Sequence, residues 1–225
     1  MGRWVVTTNI VWPEAHRFTA REAGGLSLLA ETAADLADML AVAAITDPMA
    51  RFAAGKLAAI APSDRYDGPL NFVVMRPFLM IGDSRFSDGK SYGTLYAADT
   101  ERTGLVESAH HQAIRLRAAH APRGMTTQMQ AYVLTVKATL VDARLSKDSS
   151  IDRAIYDAYS YGASQPYGRV IRDEGNSGLI YDSVRQPGGE CLALFQGNVV
   201  RNVIRRDAWL FYFDGDEISE FGRVA

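Results

Sequence analysis

At 225 residues, 48% of them hydrophobic, the chain suits one domain with its own core and is short for two. Its 24 lysines and arginines against 26 aspartates and glutamates leave a formal charge of −2, which argues against a nucleic-acid backbone as the main partner. A single cysteine rules out an internal disulfide, and the most apolar stretch, around residues 36–45, is too short to cross a bilayer, so a reducing, cytoplasmic setting is expected. The first residues mix charge, threonine and asparagine and are not expected to act as a signal peptide.

A strand is expected over residues 4–12, ended by Pro13, with an extended segment resuming at His16-Arg17-Phe18. Gly24-Gly25 breaks the chain. Leu26, Leu29, Ala33, Leu36, Leu40 and Ala44 then recur at helical spacing and predict a helix over residues 27–45. Asp47-Pro48 supplies an N-cap and a first-turn proline for a second helix to about residue 60, which Pro62 closes. This helical pair reads as a packing layer over a sheet, with a partner-binding surface as the alternative. Phe72-Val73-Val74-Met75 and Phe78-Leu79-Met80-Ile81 predict two strands, and residues 82–90 a polar, turn-rich link to a strand over 94–98.

Asp99-Thr100 caps a helix to about residue 117, with Leu105, Ala109 and Ala113 able to face a core. Residues 130–141 alternate as a long strand that places Tyr132, Leu134, Val136, Ala138 and Leu140 on one face. Ser160 is the expected cap of a helix ending at Gly175, followed by short strands at 179–181 and 191–195. A C-terminal hairpin over about residues 199–221 carries a strand at 209–213 and the tight-turn dipeptide Asp214-Gly215. Strands and helices do not alternate regularly, so the class is α+β and not a doubly wound sheet.

The familiar chemical motifs are missing: no dinucleotide glycine fingerprint, no phosphate loop, no nucleophile elbow. Neighbours on a helix, His110 and His111 diverge by about 100° and make poor co-ligands, so no metal is expected. Cys191 sits in an apolar strand and reads as a packed thiol; Arg201, Arg205 and Arg206 read as a solvated face. Chemistry is left to carboxylates, arginines and hydroxyls. Glu107 stands on the second turn of its helix, Arg85 in the turn-rich loop, and Ser183 between a strand end and Arg185-Gln186-Pro187-Gly188-Gly189. Each alone has a bland alternative: a solvated acid, a surface arginine, a turn serine.

Together these residues resemble a known family. Ser84-Arg85-Phe86-Ser87-Asp88-Gly89, then Tyr92-Gly93-Thr94-Leu95-Tyr96-Ala97-Ala98, then Thr103-Gly104-Leu105-Val106-Glu107 is similar to the first half of the RES domain, in which a glutamate follows the strand tyrosine by about eleven positions. Gly178-Leu179-Ile180-Tyr181-Asp182-Ser183-Val184-Arg185 and Pro187-Gly188-Gly189-Glu190-Cys191-Leu192-Ala193-Leu194-Phe195 resemble its serine segment, and Tyr161-Gly162-Ala163-Ser164-Gln165 with Gly168-Arg169 the helix before it. The resemblance implies a single RES domain over residues 1–225, with an ADP-ribosyltransferase-like mixed sheet flanked by helices. The core motif region would cover about 70–195, and a helical insertion about 26–65. Two departures are Gly104, where alanine is common and glycine costs a helix about 1 kcal/mol, and Phe86 where many members have tryptophan.

The resemblance also implies an activity: cleavage of the nicotinamide–ribose bond of NAD+ by phosphate or water, in a toxin silenced by an Xre-like helix-turn-helix antitoxin that carries the DNA-binding duty itself. NAD+ would be the substrate and inorganic phosphate a co-substrate, with no resident cofactor. Glu107, Arg85, Tyr96 and Ser183 are the implied catalytic set, and Arg85, Tyr96, Ser183, Arg185 and Arg17 the NAD+ contacts. Two alternatives remain open: a mono-ADP-ribosyltransferase acting on a cellular protein, and a non-catalytic module that binds NAD+ or a partner.

Overall fold

A computed structural model describes residues 6–21, 30–45, 47–148 and 150–224. The expected glycine break at Gly24-Gly25, the start of the first helix at residues 27–29 and the first two residues of the opening strand lie outside them. Among the described residues nine strands and five α-helices follow in mixed order: β1 (Thr7–Ala20), α1 (Ala33–Ala43), α2 (Pro48–Ala59), α3 (Asn71–Leu79), β2 (Asp83–Ser84), β3 (Ser87–Asp88), β4 (Leu95–Ala98), α4 (Glu101–Ala118), β5 (Thr126–Asp142), α5 (Ser164–Asp173), β6 (Gly178–Asp182), β7 (Glu190–Leu194), β8 (Val200–Phe213) and β9 (Ile218–Val224). The class is α+β, as expected.

Seven strands form one sheet in the order β1-β4-β7-β6-β5-β8-β9, and β1 also pairs with β5 along most of its length. The sheet therefore curls back on itself, with β8 and β9 as an outer flap. Of its pairings only β5–β6 is parallel. The seam is β1 against β4, joined at one register point, His16 opposite Ala98. One face of the sheet (Ile10, Leu95, Tyr132, Leu134, Val136, Leu140, Ile180, Leu192) packs on α1–α3 through Leu36, Leu40, Ala53, Leu57, Met75 and Leu79. The helical pair is thus a packing layer. The opposite face packs on α4 through Phe18, Met129, Ala131 and Phe211, and on α5 and the preceding loops through Phe86, Ile155, Ile171, Tyr181 and Ala193.

Several elements differ from the sequence reading, each for a physical reason. Residues 72–75 and 78–79 form the single helix α3, seven of whose nine residues are buried. A helix apolar on every side shows no 3.6-residue stripe and mimics a buried strand. Pro77 sits in its last turn, where it withholds the N–H that would bond the Val73 carbonyl, and the helix ends two residues later. Pro13 does not end β1; the strand passes through a bulge between Trp12 and Ala15 that absorbs the proline. Helix α1 starts at Ala33 behind a capping box in which Thr32 and Asp35 satisfy each other's backbone N–H. Helix α5 begins at Ser164, because Ser160 turns its hydroxyl back to the Gly162 N–H. The C-terminal hairpin is longer than expected, and Asp214-Gly215 opens a four-residue turn in which Asp214 accepts from the N–H groups of Asp216 and Glu217.

Candidate active site

Helix α4 is laid down by Thr100, whose hydroxyl accepts the Thr103 N–H at 3.1 Å. One turn on, a Cβ at position 104 would lie 2.9 Å from the Phe18 ring. Glycine lets the helix rest directly on β1, a packing gain set against its propensity cost. Glu107 follows on the second turn, half-buried, and faces the loop after β6. There Ser183 donates its hydroxyl proton to Glu107 Oε1 at 2.5 Å. Ser183 Oγ in turn accepts the N–H groups of Arg185 (3.2 Å) and Gln186 (3.0 Å). The hydroxyl has one proton and two lone pairs, and all three are committed, so Ser183 is locked and holds Glu107 Oε1 with it. Glu107 Oε2 makes no hydrogen bond among the described residues.

Arg85 and Phe86 form the two-residue loop between β2 and β3. Phe86 is buried edge-on against Tyr181, ring centroids 4.9 Å apart, and a Cβ at Gly168 would come within 2.6 Å of the Phe86 carbonyl oxygen, so α5 clamps the hairpin from above. Gln165 adds donations to the Ser84 and Ser87 carbonyls and to the Asp83 carboxylate. Tyr96 on β4 fixes the loop from below: its hydroxyl donates to Ser84 Oγ and accepts the Phe86 N–H, both at 3.0 Å. It therefore grips the residues on either side of Arg85, and burial holds its pKa far above the usual value. Arg85 itself is 7% exposed. Its Nη1 donates to the carbonyls of Ile155 and Asp157 at 2.9 Å, and its guanidinium lies 5.2 Å from the Tyr161 ring centroid.

Arg185 closes the arrangement. Its Nη2 donates to the Ala158 carbonyl and lies 2.8 Å from His110 Nε2. Arg85, Arg185 and Glu107 all act electrostatically on the Tyr161 hydroxyl, whose pKa burial raises. Two guanidiniums and one carboxylate thus bear on a single hydroxyl. His110 and His111 are both pushed down to about 4, chiefly by burial and then by Arg185 and Arg115 respectively, so both are neutral near pH 7. Cys191 lies beneath the site; burial, and then Glu107, push its thiol pKa up, which leaves it protonated and unreactive.

The structure brings Arg85, Tyr96, Glu107, Ser183 and Arg185 together. Arg17 is held apart from Glu107. It pairs with Tyr132 and points to the α3 side of β1, where Arg21, Arg76, Gln130 and Arg205 line a small cavity with it, whereas its neighbour Phe18 faces α4. Arg17 Nη1 donates across the β1/β4 seam to the Tyr96 carbonyl at 3.0 Å, and burial, then Arg76 and Arg115, lower its pKa to about 10. Sequence reasoning missed the roles of Tyr161, Gln165 and His110. For His110 a signal was present: it lies three positions after Glu107, on the same helix face. Among the described residues no group of histidines, cysteines and carboxylates could hold a metal ion, and no helix is long and apolar enough to cross a membrane.

Comparison with known proteins agrees with this picture. The RES domain model matches residues 56–214, a stretch that holds Arg85, Tyr96, Glu107, Ser183 and Arg185 and leaves out Arg17. The match begins inside α2, so the end of the expected helical insertion lies within it. An uncharacterized protein of Sinorhizobium fredii is 29% identical over 136 residues, covering 60% of this chain and 54% of the relative. The chain thus spans about half the length of that curated relative. Among solved structures, the M. tuberculosis MbcT–MbcA toxin–antitoxin complex contains a chain with 10% identity and a TM-score of 0.45, matched over 89% of this chain and 86% of that one. With the family model covering well over half its length, the chain belongs to the RES domain family.

Proposed function

We propose that the chain cleaves the nicotinamide–ribose bond of NAD+, by phosphorolysis or hydrolysis, and that in the cell it acts as a toxin neutralised by an Xre-like antitoxin. The toxin and antitoxin roles rest on family membership. The observation that carries the chemistry is the Glu107–Ser183 pair: one carboxylate oxygen is pinned, and the other makes no hydrogen bond among the described residues.

Nicotinamide leaves NAD+ as a neutral molecule, so its departure needs no strong acid. The C1′–N bond breaks with its electron pair going to nicotinamide, and positive charge develops on the ribose as in glycoside hydrolysis. Glu107 stabilises that charge and accepts from a ribose hydroxyl through Oε2, while Ser183 keeps the carboxylate aimed. A fixed negative charge needs no reorganisation in the transition state. Arg85 and Arg185 neutralise the diphosphate with the donors their carbonyl partners leave unused. Tyr96 steadies the Arg85 loop through its buried hydroxyl. An oxygen of phosphate or water then bonds to C1′, and its proton passes to Glu107 or to solvent. The products are nicotinamide with ADP-ribose 1″-phosphate, or nicotinamide with ADP-ribose.

The test is NAD+ loss with purified protein free of any partner, with and without inorganic phosphate, beside Glu107→Gln. Turnover that disappears in the variant supports the reading, and a requirement for phosphate selects phosphorolysis. Intact NAD+ in both buffers, from protein shown to be folded, would overturn it; labelled ADP-ribose appearing on protein would point to the transferase alternative.

A further inference from the structure

Glu107 and His110 sit one turn apart on the same face of α4, and each grips one end of the Ser183-Val184-Arg185 segment: Glu107 takes the serine hydroxyl, His110 the arginine. Arginine has only donors, so the 2.8 Å contact between Arg185 Nη2 and His110 Nε2 requires Nε2 to accept. The imidazole must then be neutral and carry its proton on Nδ1. Burial and the facing guanidiniums of Arg185, Arg117 and Arg85 all favour the neutral ring. The second Nη2 proton of Arg185 goes to the Ala158 carbonyl. With two acceptors from separate segments on one nitrogen, the guanidinium plane is set, and its Nε and Nη1 protons have no acceptor among the described residues.

We propose that His110 is a positioning residue: as the Nδ1–H tautomer it fixes Arg185, so that one helix sets both the carboxylate that meets the ribose and the arginine that meets the phosphates. The pairing itself stands on geometry alone; its consequence for substrate rests on the NAD+ reading above. A bare ammonium or a shorter polar side chain at position 110 would not reproduce it, because the contact needs an acceptor at the Nε2 position. Glutamine, whose amide oxygen can reach that position, is the conservative replacement, and phenylalanine keeps the ring while removing the acceptor.

Two measurements test this on the full chain. Nitrogen NMR of histidine-labelled protein at pH 7, with the signal identified by its loss in His110→Gln, should show Nε2 unprotonated and Nδ1 protonated. Arg185→Met should shift the ring toward the Nε2–H form and raise its pKa. A wild-type ring already in the Nε2–H form would overturn the pairing. In kinetics, His110→Phe should raise KM for NAD+ by about tenfold, the loss expected for one charge-assisted hydrogen bond, with kcat nearly unchanged. His110→Gln should restore KM to within about threefold of wild type. Equal KM in the two variants, or a fall in kcat without a rise in KM, would overturn the positioning role. A wild-type protein that leaves NAD+ intact would overturn the NAD+ reading instead, and the NMR result would still decide the His110–Arg185 pairing.

Discussion

The two faces of the curled sheet are held by different forces. On the α1–α3 side the core contacts are aliphatic and aromatic, with the arginines around Arg17 confined to one small cavity: Leu36, Leu40, Leu57, Met75 and Leu79 meet Leu95, Leu134, Val136 and Leu140. On the α4–α5 side an apolar floor supports a second layer of donors and acceptors, in which Glu107, Ser183, Arg185, His110, Arg85 and Tyr96 hold one another and nearby carbonyls. Burial is non-directional and tolerates small shifts, whereas hydrogen bonds fix angles. Burial holds both faces, and the α4–α5 face adds a layer that fixes orientation, so substitutions in the aliphatic core and in that polar layer should fail in different ways.

The largest separation is expected from Glu107→Gln. The amide keeps the shape and can still accept from Ser183, yet removes the charge, so NAD+ cleavage should fall by roughly 10²–10³-fold, as when a preorganised transition-state group is lost. Thermal stability should hardly move, because Glu107 is half-buried and pairs with a neutral hydroxyl. A comparable loss of melting temperature would show that the two faces are not separable in this way.

The converse case is Leu79→Ala. Leu79 is 0% exposed at the end of α3, and its truncation should cost about 2–5 kcal/mol of unfolding free energy by the lost transfer and the cavity left behind. Denaturant melts would record this, while kcat/KM per folded molecule should stay near wild type. A folded Leu79→Ala protein with altered KM would mean that α3 shapes the Glu107 site through β4, with which it shares one core.

A smaller effect tests orientation within the polar face. Ser183→Ala removes the only donor that reaches Glu107 among the described residues and frees the carboxylate to rotate. Steady-state kinetics should show a drop of about tenfold in kcat, the loss of one charge-assisted hydrogen bond that acts through another residue. An unchanged kcat would show that Glu107 is held by its helix alone.

The division also explains what could be read from residues in advance. Helix α4 was legible because its cap, its amphipathic spacing and its basic last turn are local signals. Strand β5 was legible because one of its faces is continuously apolar. The α3 segment was misread because complete burial erases periodicity, and β1 because a bulge that carries Pro13 is decided by the partner strand. In the candidate site, Glu107 and Ser183 are 76 positions apart and His110 and Arg185 are 75 apart, so nothing local joins them. Glu107, Arg85, Tyr96, Ser183 and Arg185 were named through a family pattern of residue types. His110 stayed hidden because its meaning lies in one contact made by folding.

Acid should distinguish the two faces with the smallest and most graded effect. Three histidines have depressed pKa values: His110 and His111, both near 4, lie on α4, and His16 lies against it at Gly104. None lies in the α1–α3 layer. A histidine that titrates near 4 when folded and near 6.5 when unfolded takes up its proton first in the unfolded chain as pH falls. Stability should therefore be level above about pH 6.5, decline from there to about 4, and lose nothing further from these rings below that. Depressed carboxylates act in a separate, lower window: Asp88, held near 2 chiefly by the backbone N–H groups of Ser91 and Lys90, matters only below its ordinary value of 3.8. Melting temperature followed from pH 8 to 4 should thus fall in wild type and fall less in a His110→Gln, His111→Gln double variant. The same slope in both proteins would place the acid-sensitive groups elsewhere, and the polar face would no longer be the part of the fold that acid loosens first.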